Sequence, residues 1–253
     1  MAFLSVMLLM VYIFSISIIY WSCSKKKQRS DRDYELEYDK DLTLKAILRK
    51  NGQQALINPF TLLTTAKFML EKRDEYDPEL VSFVRSLIVP PPSGQPPNLV
   101  NPGKTYYSQI GQDKEVDRML KGKTGGFFIE AGAHDGETHS NTLFFERQRN
   151  WTGLLVEPLP KSFQSVLNKR RNIYALNACI GNARPFVARF TLASNESWLS
   201  GRDREMSSSH KQRISGSETL YVPCFSLHTI MRALNVTQRV DYFSLDVEGG
   251  EYD

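Results

Sequence analysis

Apolar residues run from Phe3 to Trp21 without a charge, broken only by Ser5, Ser15 and Ser17. Coiled into a helix, this run reaches about 29 Å, close to the thickness of a bilayer's hydrocarbon core. Its serines can bond back to carbonyls of their own helix, so they cost little in lipid. No Lys or Arg precedes the run and no small-residue cleavage site follows it, which favours an uncleaved anchor over a signal peptide. The pattern then turns polar: "SKKKQRSDRDYELEYDKD" interleaves both signs and reads as a solvated stem. Helical spacing returns at Thr61–Lys72 and again at Pro78–Ile88. In the second, Leu80, Val81, Val84, Leu87 and Ile88 share one face, behind an Asp77 N-cap and a Pro78 start. "VPPPSGQPPNLVNPG", Val89 to Gly103, breaks every period and predicts an extended linker and the main domain boundary. The division that results is an anchor over 1–23, a stem over 24–58, a helical lead-in and linker over 59–103, and a domain over 104–253.

From Lys104 the periods alternate. A helix at about Asp113–Leu120 precedes a strand at Gly126–Ala131; a helix at Ser140–Gln148 and a strand at Thr152–Val156 follow. A helix at Lys161–Asn168 then leads to a strand at Ile173–Ala178. These strands are continuously apolar, as expected where helices cover both faces of a parallel sheet, so the fold class is α/β with a doubly wound parallel sheet. Ser194–Ser217 has no period and reads as a surface loop. A strand at Leu220–Phe225, a helix at Ser226–Leu234 and a strand at Asp241–Leu245 complete the series.

Composition changes this picture little. With 41% hydrophobic and 24% charged residues over 253 positions, the chain is of globular type. Much of its formal charge of +4 flanks the apolar run, which gives no reason to expect nucleic acid as a partner. Its three cysteines and four histidines lack metal-ligand spacing, so no metal site is expected. Two signals disagree on sidedness. Lys25, Lys26, Lys27 and Arg29 follow the anchor and favour a cytosolic domain, whereas the sequons at Asn150, Asn195 and Asn235 favour a lumenal one. Cys179 and Cys224 fit either one disulfide in a lumenal domain or a pair of buried thiols.

The chemistry lies where strands end. In an open parallel sheet, ligands bind beyond the carboxyl ends of the strands. "FFIEAGAHDGETHSN" puts Glu130 at such an end, with Gly132 in the turn where a ligand can approach the backbone. Thr138, Ser140 and Asn141 open the next helix. Glu157 closes the second strand in "GLLVEP", at a distance that suits an acid gripping a ribose diol. The spacing is E-x-G-x-x-x-G rather than G-x-G-x-x-G, and a carboxylate stands where a pyrophosphate would be repelled. A cationic nucleoside fits better, and S-adenosylmethionine carries an ammonium, a sulfonium and a ribose. "DYFSLDVEGGEYD" adds Asp246 and Glu248 at the rim of the same cleft, where a carboxylate can take the proton of an acceptor hydroxyl during in-line methyl transfer. The alternative for these acids is a merely polar, exposed strand end, which is the preferred reading for Glu251.

The ordered motifs "SQIGQDKEVDRML", "GGFFIEAGAHDGETHSNTLFFE", "WTGLLVEPLPKSF", "LNACIG", "VPCFSLHTI" and "VDYFSLDVEGGEYD" resemble the FkbM-type family of class I, S-adenosylmethionine-dependent methyltransferases. The resemblance implies cofactor contacts at Glu130, Gly132, Asp135, Glu157 and Asp246, and leaves His134 as an exposed loop histidine. It covers four strands of a seven-stranded sheet, so the fold expected is a C-terminally truncated class I methyltransferase-like one behind an N-terminal transmembrane helix. The anchor, the "DPELVSFVRSLIVPPPSGQPPNLVN" lead-in and the motifs around Cys179 and Cys224 are similar, more narrowly, to the invertebrate Star-like branch. That similarity implies a single-pass protein of the endoplasmic reticulum and Golgi, acting in vesicle-mediated trafficking. Its cargo would be a transmembrane growth-factor precursor. A membrane-anchored O-methyltransferase is the alternative.

Overall fold

The computed structural model describes residues 58–193, 201–202, 217–235 and 239–246. The anchor, the stem up to residue 57, Glu248, Glu251 and the Asn195 sequon lie outside the described residues. Among the described residues no helix is long and apolar enough to cross a membrane.

Two helices come first. Helix α1, Pro59–Leu70, starts where the Asn58 side chain accepts the Phe60 amide, two residues earlier than the apolar spacing suggests, because the cap and Pro59 set the entry. Helix α2, Pro78–Leu87, starts as predicted: Asp77 Oδ1 accepts the amides of Glu79 and Leu80 at 2.9 and 3.0 Å. The αβ series follows as α3 Gln112–Met119, β1 Phe127–Ala131, α4 Leu143–Arg149, β2 Thr152–Val156, α5 Pro160–Asn168 and β3 Tyr174–Leu176. Then come β4 Cys179–Gly181, β5 Phe186–Ala193, β6 Gly201–Arg202, β7 Ser217–Ser226, α6 Leu227–Leu234 and β8 Tyr242–Leu245.

Four of these strands form a parallel sheet in the order β3-β2-β1-β8. Alternate residues of β1 explain why its strands read as unbroken apolar runs. Phe127, Ile129 and Ala131 pack with Leu80, Val81 and Val84 of α2 and Ile230 and Ala233 of α6 on one face. Phe128 packs with Val116 of α3, Phe144 and Phe145 of α4 and Val166 of α5 on the other. Both faces are therefore dry, and the doubly wound expectation holds for the described strands.

Three features depart from the sequence reading. The predicted strand Ile173–Ala178 splits: β3 stays in the parallel sheet, and β4 leaves it to join a second sheet of order β4-β7-β5-β6. There β5 lies antiparallel to β7 over its whole length, from Phe186 opposite Cys224 to Ala193 opposite Ser217. The alternation of β5 was masked by its proximity to the Ser- and Arg-rich stretch, whose residues 203–216 lie outside the described set. Cys179 and Cys224 face each other across β4 and β7 and are joined by a disulfide, with Cα atoms 4.5 Å apart.

The third departure concerns the Pro-rich segment. Read as an extended linker and the main domain boundary, it is extended but bonded to the sheet. Val89 exchanges two backbone hydrogen bonds with Ala175 of β3, at 2.8 and 3.0 Å. Further on, the Asn98 amide donates to the Lys169 carbonyl at 2.7 Å, and the amides of Val100 and Asn101 both donate to the Glu137 carboxylate. Proline removes donors but leaves extended backbone free to pair at its remaining amides, so composition alone hid this strap. Leu62 of α1 packs into the core of the second sheet, so the lead-in helices and the alternating region share one packed body.

Candidate functional site

The site is built by three strand ends. After β1 the chain turns at Gly132, whose φ of +83° favours glycine, and a Cβ placed there would meet the Asp246 carbonyl at 1.8 Å. The amide of Asp246 in turn donates to the Ala131 carbonyl at 3.0 Å. Close approach of β1 and β8 at their carboxyl ends thus requires a residue without a side chain. Asp246 itself is exposed at the end of β8, as a rim residue should be.

The loop that follows is organised by acids. His134 sits in the left-handed region at φ 52°, and its amide donates to Glu157 Oε2 at 2.8 Å. The Leu159 amide donates to Oε1 at 2.8 Å, so Glu157 ties the β1 turn to its own. This carboxyl is only 4% exposed, and burial pushes its pKa up to about 7 against the pull of those two amides and His134. Asp135 accepts the amides of Glu137 and Thr138 and the Thr138 hydroxyl. Burial works to raise its pKa, but the neighbouring His134 and these donors outweigh it and hold the group well below the usual carboxylate range. The Asp135 carboxylate, 3.8 Å away, correspondingly raises His134, with burial opposing. His134 is half-buried rather than freely exposed.

Glu130 is held by a different set of partners. Its side chain turns inward, where Oε1 accepts the Asn141 amide at 2.7 Å and Oε2 accepts the hydroxyls of Ser140 and Thr142 at 2.9 and 2.5 Å. The Arg171 guanidinium lies 3.7 Å away and also donates to the Gly136 carbonyl, the Ser140 and Thr142 hydroxyls and Glu146. Ser140 and Asn141, expected to open the next helix, are spent on this network, so α4 starts at Leu143. Asn141 also donates to the Ser244 hydroxyl at 2.9 Å, which ties the loop to β8.

Sequence reasoning missed three contributors. Arg171, Glu137 and Lys169 are buried charges: Lys169 Nζ donates to Glu137 at 2.7 Å and lies 3.9 Å from Asp135. Burial raises the Glu137 pKa, but Lys169 and the Val100 and Asn101 amides more than offset this and lower it. The available signal for Lys169 and Arg171 was the basic run "KRRN" at 169–172, just after α5. Among the described residues, no group of three His, Cys, Asp or Glu side chains is placed to hold a metal.

Two acids, Asp135 and Glu157, thus lie beside the turn at Gly132, and Asp246 stands at the rim. The buried Asn141 Oδ1 has no hydrogen-bond partner. The carboxylates of Asp135, Glu157 and Asp246 make the strand ends rich in acceptors, which fits a cationic ligand with hydroxyl donors. Residues 130–253 match the family model of the methyltransferase FkbM domain. No curated protein and no solved structure gives a significant match to this chain.

Proposed function

We propose that the methyltransferase FkbM domain-like region of this chain binds S-adenosylmethionine at the ends of β1, β2 and β8. The observation that carries this reading is the buried, cation-poor Glu157 carboxylate locked to the Gly132–His134 turn, within a region that matches the family. Glu157 would accept the ribose hydroxyls, Asp135 would favour the positive charge of the ligand, and Gly132 lets the ends of β1 and β8 meet beside them. Glu130 acts at one remove, by holding Ser140, Asn141 and Thr142 in place. When bound, the cofactor supplies an electrophilic methyl group. Asp246, at the rim, is the group that would take the proton of an acceptor hydroxyl, with Glu248 two positions on in sequence. Calorimetric titration of the full chain with S-adenosylmethionine tests the reading: heat that weakens with Glu157→Gln is the expected result. A folded protein that gives no heat rejects it.

A second reading is favoured by the apolar run Phe3–Trp21 and by the strapping of the lead-in onto the domain. In it, the chain is a Star-like single-pass endomembrane protein, and the domain serves as a recognition surface for transmembrane growth-factor precursors in transit from the endoplasmic reticulum. Depletion of the protein should then retain such a precursor inside the cell. Unchanged export would count against it, whatever the cofactor titration shows.

A further inference from the structure

Two independent features of the described surface and core bear on the compartment in which the domain folds. The first is the disulfide between Cys179 and Cys224, both buried, which locks β4 to β7 in the second sheet. Disulfides form and persist in oxidising compartments and are rare in the cytosol. The second is the placement of the sequons. Asn150 ends α4 with φ 54°, exposed to solvent; Trp151 turns into the core, and Thr152 returns to the surface as the first residue of β2. Asn235 ends α6 in the same way, exposed at φ 55°, and Thr237 follows it in sequence.

A helix ending in the left-handed conformation is itself a reason for asparagine. Cap geometry places no demand on the residue two positions later, however, and both sites carry threonine there. An exposed acceptor asparagine followed two positions on by a hydroxyl residue is what N-glycosylation requires. We propose that the domain is N-glycosylated at Asn150 and Asn235, having folded with its disulfide in the lumen of the secretory pathway. The basic cluster Lys25–Lys27 pulls the other way, toward a cytosolic domain. It sits at the anchor's flank, whereas the bridge and the sequons belong to the folded domain.

The full chain, expressed in cultured eukaryotic cells, provides the test. Asn150→Asp and Asn235→Asp keep a residue that tolerates the left-handed region, so each removes the acceptor without disturbing the cap. Each should lose one glycan step on a gel, and enzymatic deglycosylation should collapse wild type and double variant to the same mobility once Asn195→Asp is added to both. Alkylation without reductant should leave Cys179 and Cys224 unmodified by peptide mass. Wild-type mobility that does not respond to deglycosylation overturns the proposal. So does a glycan confined to Asn195, or alkylation of both cysteines. None of these outcomes depends on whether the domain binds a cofactor.

Discussion

Glu130 and Glu157 end neighbouring parallel strands and are buried alike, at 3% and 4% exposure, yet their surroundings differ. Glu130 accepts three hydrogen bonds, two of them from hydroxyls, and has the Arg171 guanidinium 3.7 Å away. Its charge is balanced from within the protein. Glu157 accepts two backbone amides, and among the described residues it makes no ion pair with Lys or Arg. Burial therefore leaves its carboxyl poised at about 7. A carboxylate whose needs are met internally builds a site; one left short of donors and positive charge is the one that can gain from a ligand. The pair separates scaffold from binding group more sharply than their shared position at strand ends does.

The largest test removes the internal counter-ion. Arg171→Met strands Glu130 and Glu146 in the core, and the loss should be about 3–5 kcal/mol of unfolding free energy in denaturant titrations. A loss under about 1 kcal/mol would mean that hydroxyls and amides alone satisfy Glu130, and the contrast with Glu157 would dissolve. Next comes the turn shared by both acids. Gly132→Ala drives a Cβ against the Asp246 carbonyl and forces an unfavourable φ, at an expected cost of about 3 kcal/mol, together with lost cofactor binding. Retained stability would show that β1 and β8 part easily at their ends.

The Glu157 carboxyl gives a pH signature. Its folded-state pKa lies near 7, above the 4.5 of the free side chain, so the folded protein holds a proton that the unfolded chain releases between those values. Stability should therefore fall as pH rises through this window, by at most about 3 kcal/mol, and stay low above it. Asp135, whose folded pKa is lowered, acts with the opposite sign and at lower pH: its contribution is present above about pH 4 and lost as acid is added. Glu157→Gln should flatten the upper window and leave the lower one intact. If a ligand supplies the missing donors, binding near pH 7 should also release a proton, visible as a buffer-dependent heat. The smallest effect calibrates the rest. Asp77→Ala, remote from both acids, removes the α2 cap and the Arg73 partner and should cost about 1 kcal/mol; it leaves the upper pH window unchanged and takes only its own share of the acid-side one.

Much of the parallel region was legible. Asp77 and Pro78 marked the start of α2, and the apolar runs ending at Ala131 and Val156 marked β1 and β2, because caps and strand burial act through residues adjacent in the chain. Gly132 was legible as a turn for the same local reason, although the partner that makes glycine necessary, Asp246, lies more than a hundred positions away. The second sheet was not. Its strand β5 pairs with β7 across a long insertion, and nothing near Phe186 announces that partner. Glu130 shows the limit within the site itself. From position alone it resembled Glu157, and only the fold brings Arg171, forty-one residues on, to its side.

The sequence alone determined the alternating architecture, the glycine turn, the acids at the strand ends and the resemblance to the FkbM domain, whose family model matches residues 130–253. These follow from periodicity, capping and backbone freedom, which operate over a few residues. Tertiary structure alone decided which acid is compensated, where the Pro-rich segment lies and whether Cys179 and Cys224 meet. Each of those depends on the field or reach of a group distant in sequence, since the charge state of a buried carboxylate is set by what packs around it rather than by its neighbours in the chain.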